Sequence, residues 1–317
     1  MGLSGGPPDP GAQTRVPRRG GLSRARDEGA LRSLAITIIS TLVFFGVLGW
    51  IIVNAPGWEQ VREKFLSPRY FAEALGFVDG GFVWDRSILR FFIVNIQLFL
   101  IAEVLILGLG LVLAVLRSLR GPVFFPIRFL STIYVDVFRA VPGILVIYIL
   151  GFGIPGLGIK GTPTGFPWAV VALTLIYSAY VSEVYRSGID SIHPSQEAAA
   201  RSLGLSRFQT LRHVIIPQAV RRVIPPLLND FIGLQKDTVL VSYIGVVEIF
   251  RASQIKAAAT FNFTPYVATA LVFIVVTIPL ARLTDWLVAR ERMRRQGGSG
   301  AGLSVAGAGR KGAGGML

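Results

Sequence analysis

Residues 34–53, LAITIISTLVFFGVLGWIIV, run twenty positions without a charge. As a helix that is long enough to cross a hydrocarbon core about 30 Å thick. Further apolar runs cover 91–116, with Glu103 its single ionisable residue, 129–154, interrupted by Asp136 and Arg139, and 161–182. Another covers 223–247, broken by Asp230, Lys236 and Asp237, and the last covers 257–281, with its span starting near Tyr266. The pattern predicts an all-α membrane protein with about six transmembrane helices, the fifth the least regular. Pro142-Gly143 falls near the middle of the third run and predicts a break there, and Pro225-Pro226 predicts a bend in the fifth.

The arginines order these spans. Arg15, Arg18, Arg19, Arg24, Arg26 and Arg32 precede the first, and Arg117, Arg120 and Arg128 follow the second. Arg186, Arg201, Arg207, Arg212, Arg221 and Arg222 follow the fourth, and RERMRR closes the sixth. The alternate loops are poor in basic residues. Positive charge gathers on the cytoplasmic side, so both termini are expected there. Residues 54–87 are the exception, with four basic residues offset by five acids, and read as an external loop. The first run is too long, and its preceding tail too long, for a signal peptide, so it reads as a retained anchor. Residues 1–33 and 291–317, rich in Gly, Pro, Ser and Arg, are expected to be disordered.

Between the fourth and fifth runs lies the most structured polar stretch. His193-Pro194-Ser195-Gln196-Glu197 starts a helix, with proline early and an acid in the first turn. Ala198-Ala199-Ala200 continue it, and Gly204 ends it as a residue able to take positive φ. Ser206-Arg207-Phe208-Gln209 is a capping box opening a second helix expected to stop by Pro217. The result is a short helix, a glycine turn and another helix.

Composition narrows what this element does. The chain has 317 residues, 52% hydrophobic and 16% charged, with mean hydropathy +0.59 and net charge +14. It has no cysteine, and its two histidines, His193 and His213, form no metal-ligand spacing, so metal and thiolate chemistry are not expected. No G-x-x-x-x-G-K-[ST] occurs, so energy from ATP has to come from elsewhere. GFGIPG, residues 151–156, matches G-x-G-x-x-G only by chance, at the outer end of a span, and reads as a flexible exit loop. The helix–turn–helix with its arginines has the outline of a DNA-binding motif. Spans close on both sides leave no room for a supporting third helix, so nucleic acid is not expected. An interfacial amphipathic helix is a second reading, weakened by the shallow alanine face. The third is a docking element whose small residues let a soluble partner approach closely.

Ions inside apolar runs need partners or water. Asp136 and Arg139 are three apart on one helical face, a spacing that allows them to pair directly. Lys236 and Asp237 are adjacent, and Glu103 has no local partner. Such ions either staple helices together or line a polar passage, and both require a helical bundle.

On these residues the chain resembles the permease subunits of bacterial ABC importers for polar amino acids. Their cytoplasmic EAA loop runs E-A-A, three residues, Gly, nine residues, Ile, one residue, Leu, Pro. Gly204, Val214 and Pro217 keep that spacing, Ala198 stands where the family has glutamate, and Glu197 lies one position early. YVDVFRAVPGILV from Tyr134, SAYVSEVYRSGIDSI from Ser178 and LQKDTVLVSYIGVVEI from Leu234 resemble further family blocks in the same order. The resemblance implies a permease domain over 88–290 with its loop at 188–222, formed by five spans, the first span being an N-terminal extra.

The resemblance also implies roles. Gln196, Glu197, Ala198, Ala199, Arg201, Gly204, Leu205, Arg207 and Pro217 would contact a separate ATPase subunit. Asp136, Arg139, Pro142, Glu183, Arg186, Lys236, Asp237 and Ser242 are the pathway or gating candidates. The implied partners are ABC ATPase subunits that bind the ATP, an external amino-acid-binding protein, and a second permease subunit, identical or homologous. The implied place is the bacterial cell membrane, and the implied cargo is glutamate, glutamine or a basic amino acid. The chain itself would be no enzyme and hold no cofactor. The rival is a carrier driven by an ion gradient, which calls for an inverted repeat and a midplane acid in each half; neither is visible.

Overall fold

The computed structural model describes residues 20–119, 121–162 and 164–308, with side chains for 33–119, 121–162, 164–290 and 293. In chain order the elements are α1 (Gly20–Val53), α2 (Trp58–Phe65), α3 (Pro68–Leu75), strands β1 (Phe77–Val78) and β2 (Gly81–Phe82), and α4 (Leu89–Ser118). Then come α5 (Phe125–Ala140), α6 (Gly143–Tyr148), a π-helical turn (Ile149–Gly153), α7 (Ile154–Gly156) and α8 (Phe166–Asp190). After α9 (Pro194–Ser202) and α10 (Arg207–Thr210), a second π turn (Leu211–Ile215) leads into α11 (Ile216–Asp237). A 3₁₀ segment (Thr238–Ile244), α12 (Ile249–Thr260) and α13 (Thr264–Ala308) complete the chain.

Among the described residues, four helices are long and apolar enough to cross a membrane: Ser33–Val53, Leu89–Ser118, Phe166–Asp190 and Thr264–Arg290. Two bent pairs raise the number to six if each counts as one span. The first pair, Phe125–Ala140 with Gly143–Gly156, turns through 107°. Pro142 disfavours helical geometry at the residue before it, and Val141 is extended at φ −83°, ψ 130°. The predicted break is therefore real, and it is a sharp corner. The second pair, Arg207–Ile244 with Ile249–Thr260, bends by 51°, through Gly245 at φ +85°.

α1 belongs to a unit of its own, residues 1–62, and the rest of the chain forms the second unit. In the second unit α4 and α8 make the central seam. The buried residues of α4 recur every three or four positions, from Leu98 and Ala102 through Ile106 and Gly110 to Ala114, one stripe of a helix. α8 answers with Ala169, Ala172, Ile176 and Ala179. Small residues let two helices approach where lipid supplies no hydrophobic drive. A Cβ on Gly110 would come within 2.7 Å of Val181 Cγ1.

The segment predicted as a plain external loop carries two short helices and a hairpin. Asp79 and Gly80 both have positive φ, the two-residue turn that Asp-Gly favours. Ala74 of α3 is buried with Ile88, Ile249, Ala252 and Ala268. The α12–α13 junction is tied to the same segment: Asn262 Nδ2 donates to the Glu63 carbonyl at 2.9 Å, and Phe263 stacks on Phe65.

Several expectations need correction. The second helix of the polar stretch does not stop at Pro217. The π turn before it widens the backbone, so Pro217 enters α11 at its start, where its missing N–H and its ring are tolerated. Residues 151–156 are helical, not a flexible loop, and Gly151 packs against Ile244. The tails expected to be disordered lie partly outside the described residues. Inside them, α1 begins at Gly20 and α13 reaches Ala308, because extending a formed helix avoids the cost of nucleation.

Candidate functional site

The polar stretch forms a rigid double turn. His193 caps α9, its Nδ1 accepting from the Ser195 amide at 3.2 Å. At the other end the Leu205 amide donates to the Ala200 carbonyl at 3.3 Å and the Gly204 amide to the Arg201 carbonyl at 3.0 Å. These two bonds are the Schellman closure, which needs a left-handed residue, and Gly204 has φ +85°. Nothing lies within 4 Å of where its Cβ would be, so backbone geometry, not crowding, calls for glycine. The capping box that follows is complete. Gln209 N donates to Ser206 Oγ at 3.2 Å, and Ser206 N donates to Gln209 Oε1 at 2.9 Å.

Gln196, Glu197, Ala198, Ala199, Arg201, Gly204 and Arg207 are all exposed, so one continuous element presents them. Leu205 is half-buried beneath them. Two apolar residues missed in the sequence share the exposed surface, Leu203 at 84% and Phe208 at 68% exposure. A large apolar residue held in solvent on both sides of a glycine turn was a readable signal.

Beneath the turn, α8 and α11 meet closely. Gly188 faces Val223 and the Ala219 carbonyl, and a Cβ there would overlap Val223 Cγ1. Arg222 donates to the Ser191 carbonyl, and Gln218 reaches Gln196 at 3.5 Å. α9 and the end of α8 are thus tied directly to α11.

At the same end of α8 sits an ion cluster. Glu183 pairs with Arg117 of α4, with Arg186 at 3.2 Å and with Arg139 of α5 at 3.8 Å. Arg117 is 10% exposed and Glu183 22%, so this is a half-dry junction of three helices. Arg139 also lies over the Tyr180 ring, 5.9 Å from its centre. The Asp136–Arg139 pair that the spacing allows is absent among the described ion pairs. Arg139 instead reaches Glu183 of α8, and Asp136 is left exposed.

The other candidates do not join this cluster. Pro142 makes the corner before α6. Lys236 is exposed, while its neighbour Asp237 accepts from the Tyr177 hydroxyl at 2.8 Å. Ser242 is buried, with no hydrogen-bond partner for its hydroxyl. The described residues hold no group of three or more His, Cys, Asp or Glu side chains able to ligate a metal.

A polar knot escaped the sequence reading altogether. Asn95 Nδ2 donates to Thr238 Oγ1 at 3.0 Å and to Glu248 Oε2 at 3.1 Å, while its Oδ1 accepts from the Ile249 amide at 3.2 Å. Glu248 is fully buried and caps α12 by accepting from the Phe250 and Arg251 amides at 2.9 and 2.8 Å. The knot ties α4 to the bend before α12. Asn95 is an uncharged amide inside an apolar run, and such an amide is as informative as a charge there.

With this geometry in view, the comparisons decide the family. A model of the binding-protein-dependent transport system inner membrane component matches residues 106–293. The chain belongs to that family. It is thus a multi-pass membrane transport component of the ABC-importer permease type. A Bacillus subtilis protein described as a probable glutamine ABC transporter permease, GlnM, is 35% identical over 193 residues, 60% of this chain and 88% of the relative. The glutamate transport system permease GluC of Corynebacterium efficiens is 37% identical over 206 residues, 61% and 89% of the two chains. A crystal structure of an amino acid ABC transporter with histidines superposes with TM-score 0.60 at 30% identity, covering 64% of this chain and 93% of that one. An inward-facing methionine ABC transporter, at 17% identity and TM-score 0.53, shares the fold.

Proposed function

We propose that this permease forms half of a translocation pathway for a polar amino acid, driven through α9 by a separate ATPase subunit. The observation that carries the reading is the Schellman-closed turn at Gly204, exposed on top and seated below on the α8–α11 contact at Gly188 and Val223. Such an element can receive a push and cannot absorb it. Relatives named for glutamine, glutamate and arginine support a polar amino acid as the cargo.

In this reading α9 and both termini face the cytoplasm, an external binding protein delivers the amino acid, and a second permease chain completes the pathway. ATP stays on the partner. Closure of the ATPase pair tilts α9, the α8–α11 unit moves with it, and the corners at Pro142 and Gly245 let the bundle exchange between outward- and inward-facing states. Each state is favoured by its own contacts, which is what biases the equilibrium. Glu183 keeps the ends of α4, α5 and α8 together during the change.

The test is isolation of the complex in mild detergent with identification of companion chains, followed by amino-acid uptake into vesicles. Uptake should need the ATPase chain, the binding protein and ATP. Uptake by the purified chain alone would contradict the reading.

A further inference from the structure

The ion cluster has a second side. A cavity of about 230 Å³ opens between the ends of α4, α5 and α8, lined by Arg117, Arg128, Arg186, Phe125, Phe129 and Thr132. Its three arginines meet two carboxylates, Glu183 and Asp190, which leaves positive charge in excess. The guanidiniums are not used up. Arg128 spends one N–H on the Leu119 carbonyl at 3.0 Å and lies 5.7 Å from the centre of the Phe125 ring. Each guanidinium carries five donors in a planar fork that matches phosphate oxygens.

The rim points to the source of the phosphate. Phe125, Phe129 and Leu130 are half or more exposed and continue from the cavity onto the outward face of α5. A soluble anion has no use for that apolar wall, whereas acyl chains do. We propose that this cavity holds the phosphodiester headgroup of an anionic phospholipid, in the leaflet shared with the α9 turn, with its chains along Phe125, Phe129 and Leu130. Basic pockets between membrane helices suit such headgroups. The proposal does not depend on what the permease transports.

The experiment is lipid titration of the delipidated complex in neutral detergent, read by native mass spectrometry and by the thermal midpoint. Phosphatidylglycerol should bind and raise the midpoint, and phosphatidylcholine should do so far less. Inorganic phosphate should not displace the lipid. Arg128→Gln removes one charge-assisted contact and should weaken phosphatidylglycerol binding about tenfold. Arg128→Lys, which keeps charge and loses the fork, should weaken it by less, and it decides the matter if Arg128→Gln does not fold. Equal binding of the two lipids, wild-type affinity in both variants, or full displacement by inorganic phosphate would each overturn the assignment.

Discussion

The α9 turn and the α8–α11 seam beneath it are built on opposite principles. At the turn, Gly204 stands in open space and is glycine because its backbone is left-handed. At the seam, Gly188 is glycine because Val223 occupies the place of its Cβ. The turn's stability is local, held by caps within a few residues, and its outer surface is left free for a partner. The seam's stability is tertiary, and its residues have no free surface to offer. A substitution at the seam should therefore cost folding, and one at the turn should cost coupling.

The largest effect is expected at the ion cluster beside the seam. Glu183→Ala leaves Arg117 nearly buried and without its partner, a loss of about 3–5 kcal/mol. Arg139→Ala removes only a long, half-exposed pair, worth under about 1 kcal/mol. Thermal unfolding in detergent should separate the two clearly, while both lose transport. Equal midpoints for the two variants would mean that the cluster does not hold the helix ends.

Next is the Asn95–Glu248 knot. Glu248→Ala strips two part-buried amides and the buried Asn95 of their acceptor, at about 3 kcal/mol, while Glu248→Gln should recover part of that. Unchanged midpoints in both variants would count against the knot.

The seam itself comes third. Gly188→Ala should destabilise by about 1–3 kcal/mol through overpacking, and Val223→Ala in the same chain should restore most of it. Additive losses would show that the two residues do not meet.

How far the sequence carried these points depends on the range of the forces. Turn and caps were legible because their causes are local: Pro194, Gly204 and the Ser206–Gln209 box each act within four residues. The long apolar helices were legible because a bilayer selects length and polarity residue by residue. The corner at Pro142 was legible because proline acts on its immediate neighbour. The π turn before Pro217 was not, since it needs the helix to widen where a stop is the simpler expectation. Arg139's choice of Glu183 over Asp136 and the Asn95 knot depend on which helix faces which, information that one chain's pattern does not hold.

At the turn, the expected stability change is small. Gly204→Asp places a side chain in open space at φ +85°, costing about 1 kcal/mol of backbone strain. Its effect should fall on coupling instead. The decisive measurement is uptake and ATP hydrolysis in the same vesicles, with the ATPase and binding protein present, for wild type and Gly204→Asp. The account predicts a chain that inserts and melts nearly as wild type, with hydrolysis continuing and uptake reduced to background. Normal uptake by that variant would contradict it.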